Sequence, residues 1–184
     1  MSRTEATAAL LEALDRDNLV ALRKILAGGE ADLSGEVVIG EEYDLDEPDE
    51  IPLLFYVVQS GVSVEALEML VEAGMDIHFV NREGLGALDI AIKYRRPDIV
   101  RFCKERRISL STTRRKSGMT PLMLAAAFND IEMVEYLLSE GAELNGVDAH
   151  GMTALDYARK MGQTKVRELL EAKGAKHKLY EMES

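Results

Sequence analysis

The chain repeats itself at an interval of 33 residues. Gly118-Met119-Thr120-Pro121-Leu122 recurs as Gly151-Met152-Thr153-Ala154-Leu155, and Gly141-Ala142 returns as Gly174-Ala175. Between these matches Val134, Leu137 and Leu138 recur as Val166, Leu169 and Leu170, 32 residues on, so one residue is lost and then regained. A period of this length marks one supersecondary unit that buries its apolar face only by stacking on a copy of itself. Such an array offers a long outer surface rather than an enclosed pocket.

The clearest copy shows how one unit is built. Gly118 closes a turn, the Thr120 hydroxyl is placed to cap free amides, and Pro121 suits the first helical position. Leu122, Leu124, Ala125 and Ala126 follow, the small residues allowing a neighbouring helix to come close. After Asn129-Asp130, Ile131, Val134, Leu137 and Leu138 form one apolar stripe at helical period. Gly141 then ends the second helix as a left-handed cap, and Leu144 packs the exit before Asn145.

The same layout runs through the chain. Gly84-Leu85-Gly86-Ala87-Leu88 stands 34 residues before Gly118 to Leu122, with Ala91 matching Ala125 and Val100 matching Val134. An earlier copy holds Ile51-Pro52-Leu53 and ends at Gly74-Met75-Asp76-Ile77. The first has helices near Thr4 to Leu14 and Leu19 to Ala27, ending at Gly28-Gly29. The repeats are expected near 4–33, 47–80, 81–114, 115–147 and 148–180, with an insertion at 34–50, all within a single domain over 1–184.

These residues resemble the ankyrin-repeat family, whose pattern is a turn Gly, Thr-Pro-Leu-His, paired alanines, a Val then Leu-Leu stripe, and Gly-Ala before Asn. Gly118, Thr120-Pro121-Leu122, Ala125-Ala126, Val134, Leu137-Leu138, Gly141-Ala142 and Asn145 carry it most fully. The resemblance implies an all-α solenoid of about five helix-turn-helix units with short hairpin loops. It also implies a protein-binding role on a concave face made by hairpin tips and inner-helix ends. The His of the motif is absent: Leu54, Asp89, Met123 and Asp156 stand there in successive repeats. The hydrogen bonding that this His makes between repeats in the family must therefore differ. In the third repeat Arg107-Ile108 replaces Gly-Ala, and Cys103-Lys104 replaces Leu-Leu, so that helix end is expected to open most readily.

Composition narrows the remaining classes. Hydrophobic residues make up 47% of the chain but aromatics only 5%, with no Trp, so Leu, Ala, Val and Met must carry the packing in thin helical layers. A single Cys excludes an internal disulfide framework. No apolar run approaches the roughly 20 residues that span a bilayer, and the first residues lack a secretory layout. A cytoplasmic monomer without membrane association is expected.

Charge is unevenly spread over the net −11. Residues 34–50 interrupt the repeat and hold eight acidic residues in seventeen, too charged to bury, with Val37, Val38 and Ile39 as a possible strand and Gly40 as a turn. This stretch reads either as a solubilising loop or as an acidic finger docking a basic partner through Glu41, Glu42, Tyr43, Asp44 and Asp46. Pairing with the chain's own third repeat is a further reading. Residues 93–116 carry ten basic residues against two acidic ones. The surrounding acid disfavours nucleic acid as a partner, and an acidic protein surface fits better.

Carrying the family's contact positions over marks six residues. Leu85, Met119 and Met152 follow the turn glycines, and Tyr94, Phe128 and Met161 sit at the ends of the inner helices. Met and aromatic side chains suit adaptable protein contacts; packing between repeats is the competing reading. His78, His150 and His177 lie far apart, without metal-ligand spacing. Cys103 falls on the buried stripe of an outer helix. No phosphate loop is present, and no cofactor, metal or catalytic activity is expected. The sequence therefore points to a protein-interaction module, with an immunity or inhibitor protein against a basic toxin or nuclease as the alternative.

Overall fold

A computed structural model describes residues 3–39 and 49–178. The described residues form ten helices in five consecutive pairs, with one two-stranded sheet. The chain divides into two compact units, Met1–Phe79 and Val80–Ser184.

The first unit holds helices α1 (Arg3–Asp15) and α2 (Leu19–Gly28), strands β1 (Glu36–Ile39) and β2 (Asp49–Pro52), and helices α3 (Leu53–Gln59) and α4 (Val64–Glu72). Asn18 starts α2 by accepting the Ala21 amide at 3.1 Å. Ser63 starts α4 by accepting the Ala66 amide at 3.2 Å, which satisfies a donor that the helix itself leaves free. The two interhelical turns are tied together. The Ser63 hydroxyl donates to Asp17 Oδ1 at 2.8 Å, and the Tyr56 hydroxyl donates to Asp15. Leu10, Leu14, Leu22, Leu53, Leu67 and Leu70 are fully buried. The strand expected at Val37 to Ile39 forms, one residue longer. It pairs antiparallel with β2 in the register Glu36 to Pro52 and Ile39 to Asp49.

The second unit holds α5 (Ala87–Lys93), α6 (Pro97–Glu105), α7 (Pro121–Ala127), α8 (Ile131–Ser139), α9 (Ala154–Lys160) and α10 (Thr164–Ala172). Helices α5, α7 and α9 pack in a row, each followed by its outer partner. Ala91, Ala125, Ala126 and Ala158 are fully buried, which is what lets the row close up. Ile92, Ile99, Leu122, Met123, Leu137 and Leu155 fill the layers.

The hairpin loops stack in the same period. The Lys116 amide donates to the Glu83 carbonyl at 3.1 Å, and one repeat later the Ala149 amide donates to the Ser117 carbonyl at 2.9 Å. This approach explains two turn glycines. A Cβ on Gly84, at φ +79, would lie 2.0 Å from the Arg114 carbonyl oxygen, and one on Gly118, at φ +72, would lie 2.9 Å from the Ala149 nitrogen.

The missing Gly-Ala of the third repeat is absorbed without a change of shape. Arg107 takes the left-handed conformation at φ 64, where Gly141 and Gly174 sit at φ 89 and 85. Its amide donates to Lys104 and that of Ile108 donates to Cys103, the pattern that Gly141 and Ala142 make to Leu138 and Leu137.

Candidate partner-binding surface

Three inner helices of the second unit end in the same way. Tyr94, Phe128 and Met161 are the C-cap residues of α5, α7 and α9. The next residue in each case, Arg95, Asn129 or Gly162, turns left-handed, at φ 54, 55 and 70, and sends the chain back into the outer helix. The C-cap side chain is left facing solvent. Tyr94 is 43% exposed, Phe128 38% and Met161 56%, large values for apolar side chains in so regular a stack.

Side chains hold these ends in register. Arg95 Nη2 donates to the Phe128 carbonyl at 2.9 Å, linking the end of α5 to that of α7. Gln163 Nε2 donates to the Ala127 carbonyl at 2.9 Å, linking the end of α9 to that of α7. Both bonds satisfy carbonyls that a helix C-terminus leaves free. Packed helices lie about 8–10 Å apart, so the three residues form a strip about 20 Å long. Lys93 Nζ sits 5.3 Å from the centre of the Tyr94 ring.

The second row of marked residues behaves differently. Leu85 and Met119 are half-buried. Arg115 Nη1 lies 3.1 Å from the Met119 sulfur. Met152 is only 7% exposed, and its amide is drawn in by Asp148 Oδ1 at 2.9 Å. Met152 is therefore buried rather than facing solvent as its position after the turn Gly led one to expect. The reason is local: Asp148 accepts both the His150 and the Met152 amides and closes the loop over the side chain. Val147, 44% exposed on the same loop, went unmarked, because nothing in its spacing separates it from a packing Val.

Much of the basic run is paired within the chain, partly at its surface. Arg96 makes two bonds to Asp98, at 3.0 and 2.8 Å, which hold the Asp98 carboxyl below its ordinary range. Lys104 meets Glu140 at 2.6 Å, Arg115 meets Asp89 at 2.6 Å, Lys116 meets Glu83 at 3.5 Å, and Arg106 lies over Phe102. Cys103 is buried, and desolvation pushes its thiol up to about 12, with the Asp89 charge adding to the effect, so its thiolate is out of reach at neutral pH. A cleft of about 300 Å³ between Arg95, Arg101, Asp130, Glu132 and Tyr136 has both charge signs on its walls. Among the described residues no cluster of His, Cys, Asp and Glu is placed to hold a metal ion. No helix there is long and apolar enough to cross a membrane. Glu41, Glu42, Tyr43, Asp44 and Asp46 lie outside the described residues.

Comparison with known proteins agrees with the repeat geometry. Residues 104–180 match the family model described as ankyrin repeats in three copies. The chain is 31% identical over 112 residues to glycerophosphocholine phosphodiesterase gde1 of Schizosaccharomyces pombe, a match covering 61% of this chain and 10% of that one. It is 31% identical over 109 residues to the B-cell lymphoma 3 protein homolog of Mus musculus, covering 59% and 24%. It is 30% identical over 111 residues to neurogenic locus notch homolog protein 2 of Homo sapiens, covering 60% and 4%. The matches thus span a quarter or less of each relative's length. With their helix pairs, stacked hairpins and this pattern of matches, residues 104–180 are ankyrin repeats, and the helix pairs before them follow the same plan. Ankyrin repeats are protein–protein interaction modules.

Proposed function

We propose that this chain is a non-enzymatic interaction module that binds a partner protein on the face carrying Tyr94, Phe128 and Met161. The observation that supports this most is their exposure, 43, 38 and 56%, at one equivalent position in three successive repeats. Solvent-facing residues on a stack are ordinarily polar, and three large apolar ones in register form the kind of anchor row on which partner side chains lose their water. The tethers from Arg95 and Gln163 keep the row rigid, so little ordering cost falls on binding. The acidic insertion, residues 34–50, serves as a second element that steers a basic region of the partner through Glu41, Glu42, Tyr43, Asp44 and Asp46. The chain works as one interaction domain, as a monomer in the cytoplasm. The phosphodiesterase chemistry in one relative's name belongs to a protein of which this chain covers 10%, and it is not carried over.

A second reading is favoured by the net charge of −11 and the eight acidic residues in seventeen: an immunity or inhibitor protein that neutralises a basic toxin or nuclease. A photo-crosslinking amino acid at position 128, with position 135 on the exposed side of α8 as control, tests the face. The reading expects crosslinks to a partner at 128 and none at 135. Equal yields at both positions refute it. One basic partner with very slow dissociation favours the inhibitor, and several weaker partners favour a general adaptor.

A further inference from the structure

The exposed charge at the ends of the inner helices is basic, while the acid next in sequence, Asp98 and Glu132, stands on the first turns of the outer helices α6 and α8, and this points to the chemistry of what binds at the strip. In the last residues of α5, α7 and α9 and the turns just after them, the exposed side chains are Lys93, Tyr94, Arg95, Phe128, Arg159, Lys160 and Met161. All are basic or apolar. The inner helices do carry two carboxylates, but both are turned to internal work. Asp89 accepts the Gly86 amide at 2.9 Å and faces Arg115 at 2.6 Å. Asp156 is 2% exposed and accepts Thr153 and the ring of His177. Asp130, at the end of the α7 turn, is 6% exposed and caps the Met133 amide. In a chain of net charge −11 this strip is a local cationic island with an apolar spine.

We infer that the strip receives an acidic segment of a partner protein, whose apolar side chains sit on Tyr94, Phe128 and Met161 and whose carboxylates meet Lys93 and Lys160. The inference rests on the reading of this face as the binding face, and adds the partner's chemistry. The strip's length of about 20 Å matches about six residues of extended chain at roughly 3.3 Å each. A basic segment would set like charges against Lys93 and Lys160, which costs affinity and slows encounter. The acid elsewhere on the chain does not cancel the effect, because screening in physiological salt confines each charge to about 8 Å.

The test uses the full chain and two labelled synthetic peptides. One alternates Glu and Asp with Leu and Phe; its mirror replaces every acid by Lys. Binding is read by fluorescence anisotropy, and circular dichroism confirms that each variant folds. The acidic peptide is expected to bind, to weaken as salt is raised, and to lose at least tenfold with Lys93→Glu together with Lys160→Glu, while the mirror peptide gains on that variant. Lys93→Gln with Lys160→Gln serves if the reversal fails to fold, with a smaller loss expected. If the mirror peptide binds the natural chain as well as the acidic one, with dependence on Tyr94 and Phe128, the acidic-partner inference is overturned while the binding face stands. No binding of either peptide overturns the inference, and crosslinking at position 128 reports independently on the face. A dimer of the chain that dissociates with the Lys93→Glu variant places a second copy on the strip and overturns it as well.

Discussion

Arg115 Nε lies 2.6 Å from Asp89 Oδ1, and the two side chains are only 15% and 14% exposed. Asp89 stands where the family motif has His, and its other oxygen accepts the Gly86 amide at 2.9 Å. The hairpin entering the fourth repeat is thus fastened to the inner helix of the third by a charge-assisted bond. Arg115→Ala leaves Asp89 buried without its counter-charge and is expected to cost about 2 kcal/mol. In urea unfolding, a double-mutant cycle with Asp89→Asn should show coupling above about 1 kcal/mol. Additive effects would make the pair incidental.

Arg107 occupies a left-handed position that its counterparts fill with Gly141 and Gly174. A side chain there costs about 1 kcal/mol or more against glycine. Arg107→Gly should raise stability by about 0.5–1 kcal/mol in denaturant unfolding, and Gly141→Ala should lower it by a similar amount. The strain also predicts faster amide exchange over 100–108 than over 134–141. Slower exchange at 100–108, or no gain from Arg107→Gly, contradicts this.

Acid should loosen the last repeat in a definite window. Burial alone raises the Asp156 carboxyl, but the Thr153 amide, the His177 ring, the Thr153 hydroxyl and the Lys178 amide outweigh it and leave it below its ordinary value. Asp148 is likewise held low, against burial, by the Tyr157 hydroxyl and the amides of Met152 and His150. Folded values below unfolded ones mean that the stabilisation is fully present above about pH 4 and is lost as pH falls through the folded values. The urea midpoint should be flat with respect to these two groups above that point and fall below it, and less steeply in Asp156→Asn. An unchanged slope in that variant would count against the assignment.

Met152 and Phe128 separate packing from contact. Met152, 7% exposed, should cost about 2–4 kcal/mol as Met152→Ala. Phe128→Ala, from a side chain 38% exposed, should cost less than half as much in stability and weaken partner binding. The reverse ranking in thermal unfolding would exchange their roles.

The fold was legible in this sequence because its period is carried by residues with fixed backbone duties. Thr120 caps, Gly118 turns, and Val134 and Leu137 face the core, each for reasons that spacing alone displays. The strip was legible for the same reason, since Tyr94, Phe128 and Met161 occupy a position that the turn geometry always exposes. What spacing does not show is where a polar side chain finds its partner. Arg115 reaches Asp89 across a repeat boundary and His177 reaches back to Asp156 within the last repeat, at separations set by loop paths rather than by helical period. Much of the basic run reads as a patch because three of its partners, Glu140, Glu83 and Asp89, lie in other repeats than the bases they meet.

The central claim is that Tyr94, Phe128 and Met161 act together as the anchor of a protein interface. The direct measurement is calorimetric affinity for a partner captured by the natural chain, compared with Tyr94→Ala, Phe128→Ala and Met161→Ala combined, after circular dichroism shows that both proteins are fully folded at the temperature used. Losing a central apolar anchor typically costs 2 kcal/mol or more, so a loss of at least about 30-fold is predicted. An affinity unchanged within about twofold, with the fold intact, would contradict the account and place the interface elsewhere on the chain.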